Sequence, residues 1–205
     1  ATGEAVGAFA LSEPDAGTDA AHQQTTATEA GAGYSLNGHK VWVANGEVAE
    51  LLLVFAATEP GIGGRGVSAF LVPTGTPGLQ SRATADSLGM RGLGCRDIDL
   101  QDVHVGTEAM LGAPGEGFQI ALWALEGGRV AIAAQALGVG QAAFDEALAH
   151  AKKRQTFGRP IGRYQAVQWM LADMATELEA ARMLLYRGAA AKDTQERCTV
   201  EAAMA

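Results

Sequence analysis

The stretch Phe9 to Asp19, FALSEPDAGTD, runs from an apolar strand straight into a Ser-Glu-Pro turn and a small-residue loop. Such a loop can bring backbone N–H groups against a flat or anionic ligand. Pro14 fixes its own φ, Gly17 is free to take φ > 0, and Ser12 and Thr18 add donors at the rim. Taken by itself, a strand entering a Ser/Pro/Asp/Gly loop is equally compatible with a plain turn.

Outward from this stretch, the chain up to about residue 110 carries short β patterns. Strands are expected over 5–11, over 34–36 turning at Asn37-Gly38 into 40–43, and over 51–57, 67–72 and 97–105. Asn-Gly and the Gly/Pro-rich connections point to antiparallel sheet. In the last of these strands Ile98, Leu100, Val103 and Val105 alternate only if a bulge lies between Leu100 and Val103, with Asp97, Asp99 and Asp102 facing outward.

From Gly117 the periodicity changes to that of long helices. After Gly158-Arg159-Pro160, a second segment spaces Val167, Met170, Leu171, Met174, Leu178, Ala181 and Leu185 three or four apart, an apolar stripe expected to be core. Thr199 to Ala205 still reads as helix. The fold class expected is therefore α+β: an antiparallel barrel- or sandwich-like β-domain over 1–110, then the long helices of an incomplete helical bundle over 111–205.

Composition narrows the function. The chain has 205 residues, 48% hydrophobic and 19% charged, which suits a globular protein with one large core or two modest ones. The longest uninterrupted apolar run, Leu51 to Ala57, is far shorter than a membrane span, and the expectation is a soluble cytoplasmic protein with no membrane partner. Net charge of −8 argues against nucleic acid as a partner. Cys95 and Cys198 form no CxxC pair, and the four histidines have no metal-ligand spacing, so no metal site is expected. The basic cluster Lys152, Lys153, Arg154, Arg159 and Arg163 suits a small polyanion such as a pyrophosphate, or else a helix end that complements the dipole.

Three ordered motifs occur together: FALSEPDAGTD, Trp42-Val43-Ala44-Asn45-Gly46, and Arg154-Gln155-Thr156-Phe157-Gly158-Arg159-Pro160 followed by Gln165. With Gly89-Met90-Arg91-Gly92, Gly128-Arg129 and Leu171-Ala172-Asp173-Met174, the set resembles the acyl-CoA dehydrogenases nearly end to end. The resemblance implies a middle β-domain and part of a C-terminal helical domain, FAD as cofactor, and α,β-dehydrogenation of an acyl-CoA thioester to a trans-2-enoyl-CoA. It implies that Phe9, Leu11, Ser12, Trp42, Val43 and Ala44 meet the flavin. Arg154, Thr156, Phe157 and Gln165 would meet the FAD of a neighbouring subunit, and Thr18 and Arg129 the acyl-CoA. A homotetramer built as a dimer of dimers, with an electron-transfer flavoprotein as acceptor, follows from the same resemblance.

Two departures qualify it. Ala44 stands where the family usually has a Thr or Ser whose hydroxyl reaches the flavin N5 region; the loss of one neutral hydrogen bond costs about 0.5–1.5 kcal/mol. The catalytic base, in most of the family a Glu, is expected beyond Ala205, and the alternative position just before Arg129 is Gly128, which cannot accept a proton. Glu126 lies on a different helical face and is expected either to pair with Arg129 or, less favourably, to act as base. No catalytic residue is therefore named. The chain is expected to be a fragment, inactive by itself and weak in FAD binding. The alternatives are an acyl-CoA oxidase-like enzyme and a non-catalytic flavin-binding or assembly subunit.

Overall fold

The computed structural model describes residues 2–195 and 197–205. The chain divides into two units, one ending at Leu122 and the other running from Trp123 to Ala205.

In the first unit eight strands form one sheet: β1 (Gly7–Ala10), β2 (Thr26–Ala30), β3 (Gly33–Val43), β4 (Leu51–Ala57), β5 (Val67–Pro73), β6 (Leu79–Ala83), β7 (Arg96–Gly106) and β8 (Met110–Leu111). The path is β6-β7-β3-β2-β4-β5-β8, with β1 also on β4. Most neighbours are antiparallel as expected, but β1 and β2 both pair with β4 in parallel. The expected α+β class holds. Apolar side chains alternate inward to a core of Leu36, Leu52, Val54, Phe70, Val72, Ile98, Leu100 and Val103. β2, β6 and β8 were not among the expected strands.

Two expectations are corrected here. Asn37-Gly38 is no turn, because β3 runs unbroken from Gly33 to Val43. Gly38 is needed for close approach instead: a Cβ there would lie 2.6 Å from Thr25 Cβ and 2.7 Å from its Cα. Asp99 is not outward but 8% exposed. It pairs with the Arg82 guanidinium and shares a hydrogen bond with His39 Nδ1 at 2.8 Å, partners that make its burial tolerable.

The expected bulge is present. Leu36 pairs with Val103 and Gly38 with Leu100, so Gln101 and Asp102 oppose Asn37 alone. Asp102 takes φ 50°, and the Asn37 amide satisfies it, Oδ1 accepting from the Asp102 N–H at 2.9 Å and Nδ2 donating to Oδ1 at 3.0 Å.

In the second unit the helix α1 (Gly117–Lys153), which begins in the first, is followed by the hairpin β9 (Gln155–Thr156) and β10 (Arg159–Pro160), then α2 (Gln165–Thr194) and α3 (Thr199–Met204). By length and composition α1 would pass as a membrane span, a test that helices of soluble bundles also pass. The α2 stripe is not the core expected of it. Leu185 is buried, whereas Met170 and Met174 are exposed. A groove of about 680 Å³ along α1 and α2, lined by Leu137, Phe144, Met174 and Leu178 among others, has the same apolar character.

Candidate functional site

The loop after β1 is fixed by a buried ion pair. Lys40, fully buried in β3, spends its ammonium on three acceptors: Glu13 Oε1 at 2.7 Å, Gln23 Oε1 at 2.8 Å and the Leu11 carbonyl at 3.1 Å. Glu13 in turn accepts from the backbone N–H groups of Gln24 at 2.5 Å and Thr25 at 3.0 Å. Burial pushes the Lys40 ammonium down to about 8, against the pull of Glu13. Burial would raise the Glu13 carboxyl, but the Lys40 charge and the hydrogen bonds from Lys40, Thr25 and Gln24 outweigh it and hold the group below 4.5.

The loop then closes on itself through Glu13 N–H to Ala16 O at 3.1 Å and Ala16 N–H to Glu13 O at 3.2 Å. Gly17 does not use the left-handed region. Trp42 on β3 and Asn45 just beyond it do use that region.

Trp42 takes φ 57° at a second irregularity, where Lys40 pairs with Ile98 but Val43 with Arg96. A bulky residue rarely adopts this backbone. Without the extra residue, Trp42 would share the inner face with Lys40 and Val43 would point out. With it, Val43 returns to the core and the Trp42 indole stands 50% exposed. The Trp42 N–H is held by Asp97 Oδ1 at 3.2 Å.

The same segment reaches the loop. Val41 N–H donates to Ser12 O at 2.9 Å, bringing Leu11-Ser12 beside Val41-Trp42. Phe9 packs against Phe55 in a tilted ring pair with centroids 4.9 Å apart. Leu93 and Gly94, directly after the Gly89-Met90-Arg91-Gly92 segment, hold the chain beyond Trp42: Asn45 N–H donates to Leu93 O at 2.9 Å and Glu47 N–H to Gly94 O at 3.1 Å. Ala44, between these anchors, is half-buried, and Thr18 is exposed in the loop before Ala20.

In the second unit the hairpin collects the other expected residues. Phe157 (φ 49°) and Gly158 (φ 75°) form its two-residue tip, and Phe157 is 95% exposed. Ile161 N–H donates to Arg154 O at 2.8 Å, and Tyr164 Oη donates to Thr156 O at 2.9 Å. The Arg159 guanidinium lies 4.2 Å from the Tyr164 ring centre. Arg154, Thr156 and Gln165 are thereby presented, all exposed, on one rigid turn entering α2.

Glu126 does not pair with Arg129, which is exposed. Its buried carboxylate takes Lys192 Nζ at 3.7 Å, Arg197 Nε at 3.5 Å and the Thr199 hydroxyl, tying α1 to the start of α3. The Thr199 hydrogen bond leads the causes that hold this carboxyl below its ordinary value, which suits a structural anion and not a proton acceptor.

Lys40, Glu13, Gln23 and Asp97 were not picked out from sequence. A charged residue between Leu36 and Val43 in an apolar strand was the available signal, because such a residue needs a partner if it faces inward.

The family profile described as acyl-CoA dehydrogenase, middle domain, matches residues 8–103, and the profile for the C-terminal domain matches residues 115–205. The chain belongs to the acyl-CoA dehydrogenase family. It is 45% identical over 204 residues to the mitochondrial short-chain specific acyl-CoA dehydrogenase of Bos taurus, a match that covers all of this chain and 50% of that protein. Butyryl-CoA dehydrogenase from Megasphaera elsdenii superposes with a TM-score of 0.94 at 43% identity, over 98% of this chain and 52% of that one. A structure of PigA with FAD and proline gives a TM-score of 0.93 at 32% identity, over 98% of this chain and 52% of that one. The chain thus spans about half the length of the family members it matches.

Proposed function

We propose that this chain carries the flavin-holding part of an FAD-dependent acyl-CoA dehydrogenase acting on a short-chain acyl-CoA. One observation carries the reading: an aromatic ring, Trp42, is forced out of the sheet by a strained backbone directly beside the anchored Leu11-Ser12 edge. Strain of this kind persists where the surrounding structure over-determines it, as at ligand sites.

The residues fit the cofactor. Ser12, with its hydroxyl and N–H, would hold the polar edge of the flavin, with Leu11 and Phe9 beneath it and the Trp42 indole against its face. Val43 and Ala44 would contribute backbone only, since Val43 is core and Ala44 has no hydroxyl. Arg154 and Thr156 suit the pyrophosphate and Gln165 the adenosine half. A Phe157 ring fully in water supports completion of that half by a second copy of the chain, in a dimer of dimers. Thr18 and Arg129 would meet the CoA moiety.

When bound, the flavin supplies acceptance of the hydride from the substrate Cβ. The residues named here bind and orient. None of them removes the α-proton, because Gly128 has no acceptor and Glu126 is committed to Lys192, Arg197 and Thr199. A second reading, a non-catalytic flavin-binding subunit, rests on Gly128 together with Ala44 in place of a Thr or Ser. Anaerobic addition of a short acyl-CoA to the FAD-loaded full-length protein separates the two: bleaching of the oxidised-flavin band with formation of enoyl-CoA supports the dehydrogenase, and an unchanged band supports the subunit. Reoxidation by an electron-transfer flavoprotein, and not by oxygen, would exclude the oxidase-like alternative.

A further inference from the structure

Lys40 lies in the core of the sheet, yet its ammonium is directed at three acceptors of the segment that follows β1: Leu11 O, Glu13 Oε1 and Gln23 Oε1. Nothing in the proposed flavin contacts requires a cation there. Its position in the chain is informative, because residues 40, 41 and 42 each fix a different part of the site. Lys40 holds Leu11 O at 3.1 Å, Val41 N–H holds Ser12 O at 2.9 Å, and Trp42 provides the exposed ring.

A trans peptide is planar, so its C=O and the following N–H point in opposite directions. Among the described residues no peptide bond is cis. Drawing the Leu11 carbonyl inward to Lys40 therefore turns the Ser12 N–H outward, away from the core. The bond from Val41 to Ser12 O fixes the next peptide plane in the same way, and Glu13 N–H is spent on Ala16 O. The direction of the one N–H that Ser12 can offer is thus set by a side chain 28 positions later in sequence.

We infer that Lys40 is a positioning residue for the flavin: its ammonium, charge-balanced by Glu13 and steadied by Gln23, locks the Leu11–Ser12 peptide so that the Ser12 N–H faces the cofactor's polar edge. The inference rests on the proposal that this edge holds flavin.

The test is an FAD titration of the full-length protein, followed by flavin absorption and by thermal unfolding of each apoprotein. Wild type must bind FAD; if it does not, the flavin reading itself fails, whatever the variants do. Lys40→Met is expected to weaken FAD binding by about tenfold or more and to alter the shape of the bound-flavin band, since the freed Leu11 carbonyl lets the peptide rotate. The double variant Lys40→Met/Glu13→Gln removes the unpaired carboxylate and should recover thermal stability without recovering affinity. It also serves where the single variant does not fold. Val103→Ala, a core truncation in β7, is expected to lower thermal stability and leave affinity within about twofold. The inference is overturned if either Lys40 variant binds FAD with the wild-type spectrum and affinity, or if affinity follows thermal stability through the whole set, Val103→Ala included.

Discussion

The two groups of residues that resemble cofactor contacts are built in opposite ways. The Leu11-Ser12-Trp42 group rests on a buried network, in which Lys40, Glu13 and Gln23 exchange hydrogen bonds under the loop. The Arg154-to-Gln165 group rests on a surface hairpin whose tip, Phe157, has almost no protein around it. The first cannot be altered without disturbing the sheet. The second can lose its side chains and keep its backbone, because Tyr164 and Ile161 hold the turn through backbone oxygens. Such a hairpin gains its meaning from what it docks against.

The largest expected effect is therefore on the sheet side. Lys40→Met alone leaves Glu13 buried without its cation, and removal of one partner from a buried pair costs about 3–5 kcal/mol. Equilibrium unfolding in denaturant should show this loss, and a change below about 1 kcal/mol would mean that the carboxylate is rehydrated at little cost. Gly38→Ala comes next, at about 1–3 kcal/mol, because the added methyl meets Thr25 side chain and backbone together. A freely folding Gly38→Ala protein of wild-type stability would restore the turn that Asn37-Gly38 suggests.

Acid gives a smaller, graded effect on the same network. Glu13 has a folded pKa below its ordinary 4.5, so its contribution is present above that value and is lost as pH falls through the folded pKa. Glu13→Gln should flatten the acid limb of a stability–pH curve; an unchanged limb would remove Glu13 from the account. On the alkaline side Lys40 titrates near 8 when folded, against 10.5 in the unfolded chain. Between those values the unfolded state binds more protons, so this group adds stability as pH rises. FAD affinity should nevertheless fall above about pH 8, since a neutral amine has two protons for three acceptors.

On the hairpin side Phe157→Ala is expected to change stability by no more than about 0.5 kcal/mol, the range for exposed positions. On the proposal that a second copy of the chain completes that half of the cofactor site, the same variant should weaken FAD binding. Loss of stability without loss of FAD affinity would invert the comparison.

Much of this was legible in the sequence where local rules act alone. β4 falls on Leu51–Ala57 as its apolar run suggests, and the bulge between Leu100 and Val103 follows from a broken alternation that only an extra residue repairs. The motifs brought Leu11, Ser12 and Trp42 to one place. What was not legible depends on partners distant in the chain. Asn37-Gly38 has turn chemistry, yet Asn37 caps the bulge at Asp102 and Gly38 makes room for Thr25. Asp99 reads as a solvated acid until Arg82 and His39 are brought beside it. Glu126 and Arg129 share a helix, but the carboxylate finds Lys192 and Arg197 instead, 66 and 71 positions on. The α2 stripe has the spacing of a core helix, and spacing alone does not supply the surface that covers it.

The central claim, that the strained Trp42 ring and the anchored Leu11-Ser12 edge hold a flavin, is tested most directly by Trp42→Gly in the full-length protein. Glycine accepts φ 57° without strain and Trp42 is half exposed, so the fold should survive the loss of the ring. FAD titration followed by flavin absorption and fluorescence is predicted to show a folded protein with weakened affinity and a flavin spectrum close to that in water. A Trp42→Gly protein that binds FAD with the wild-type affinity and spectrum would contradict the account.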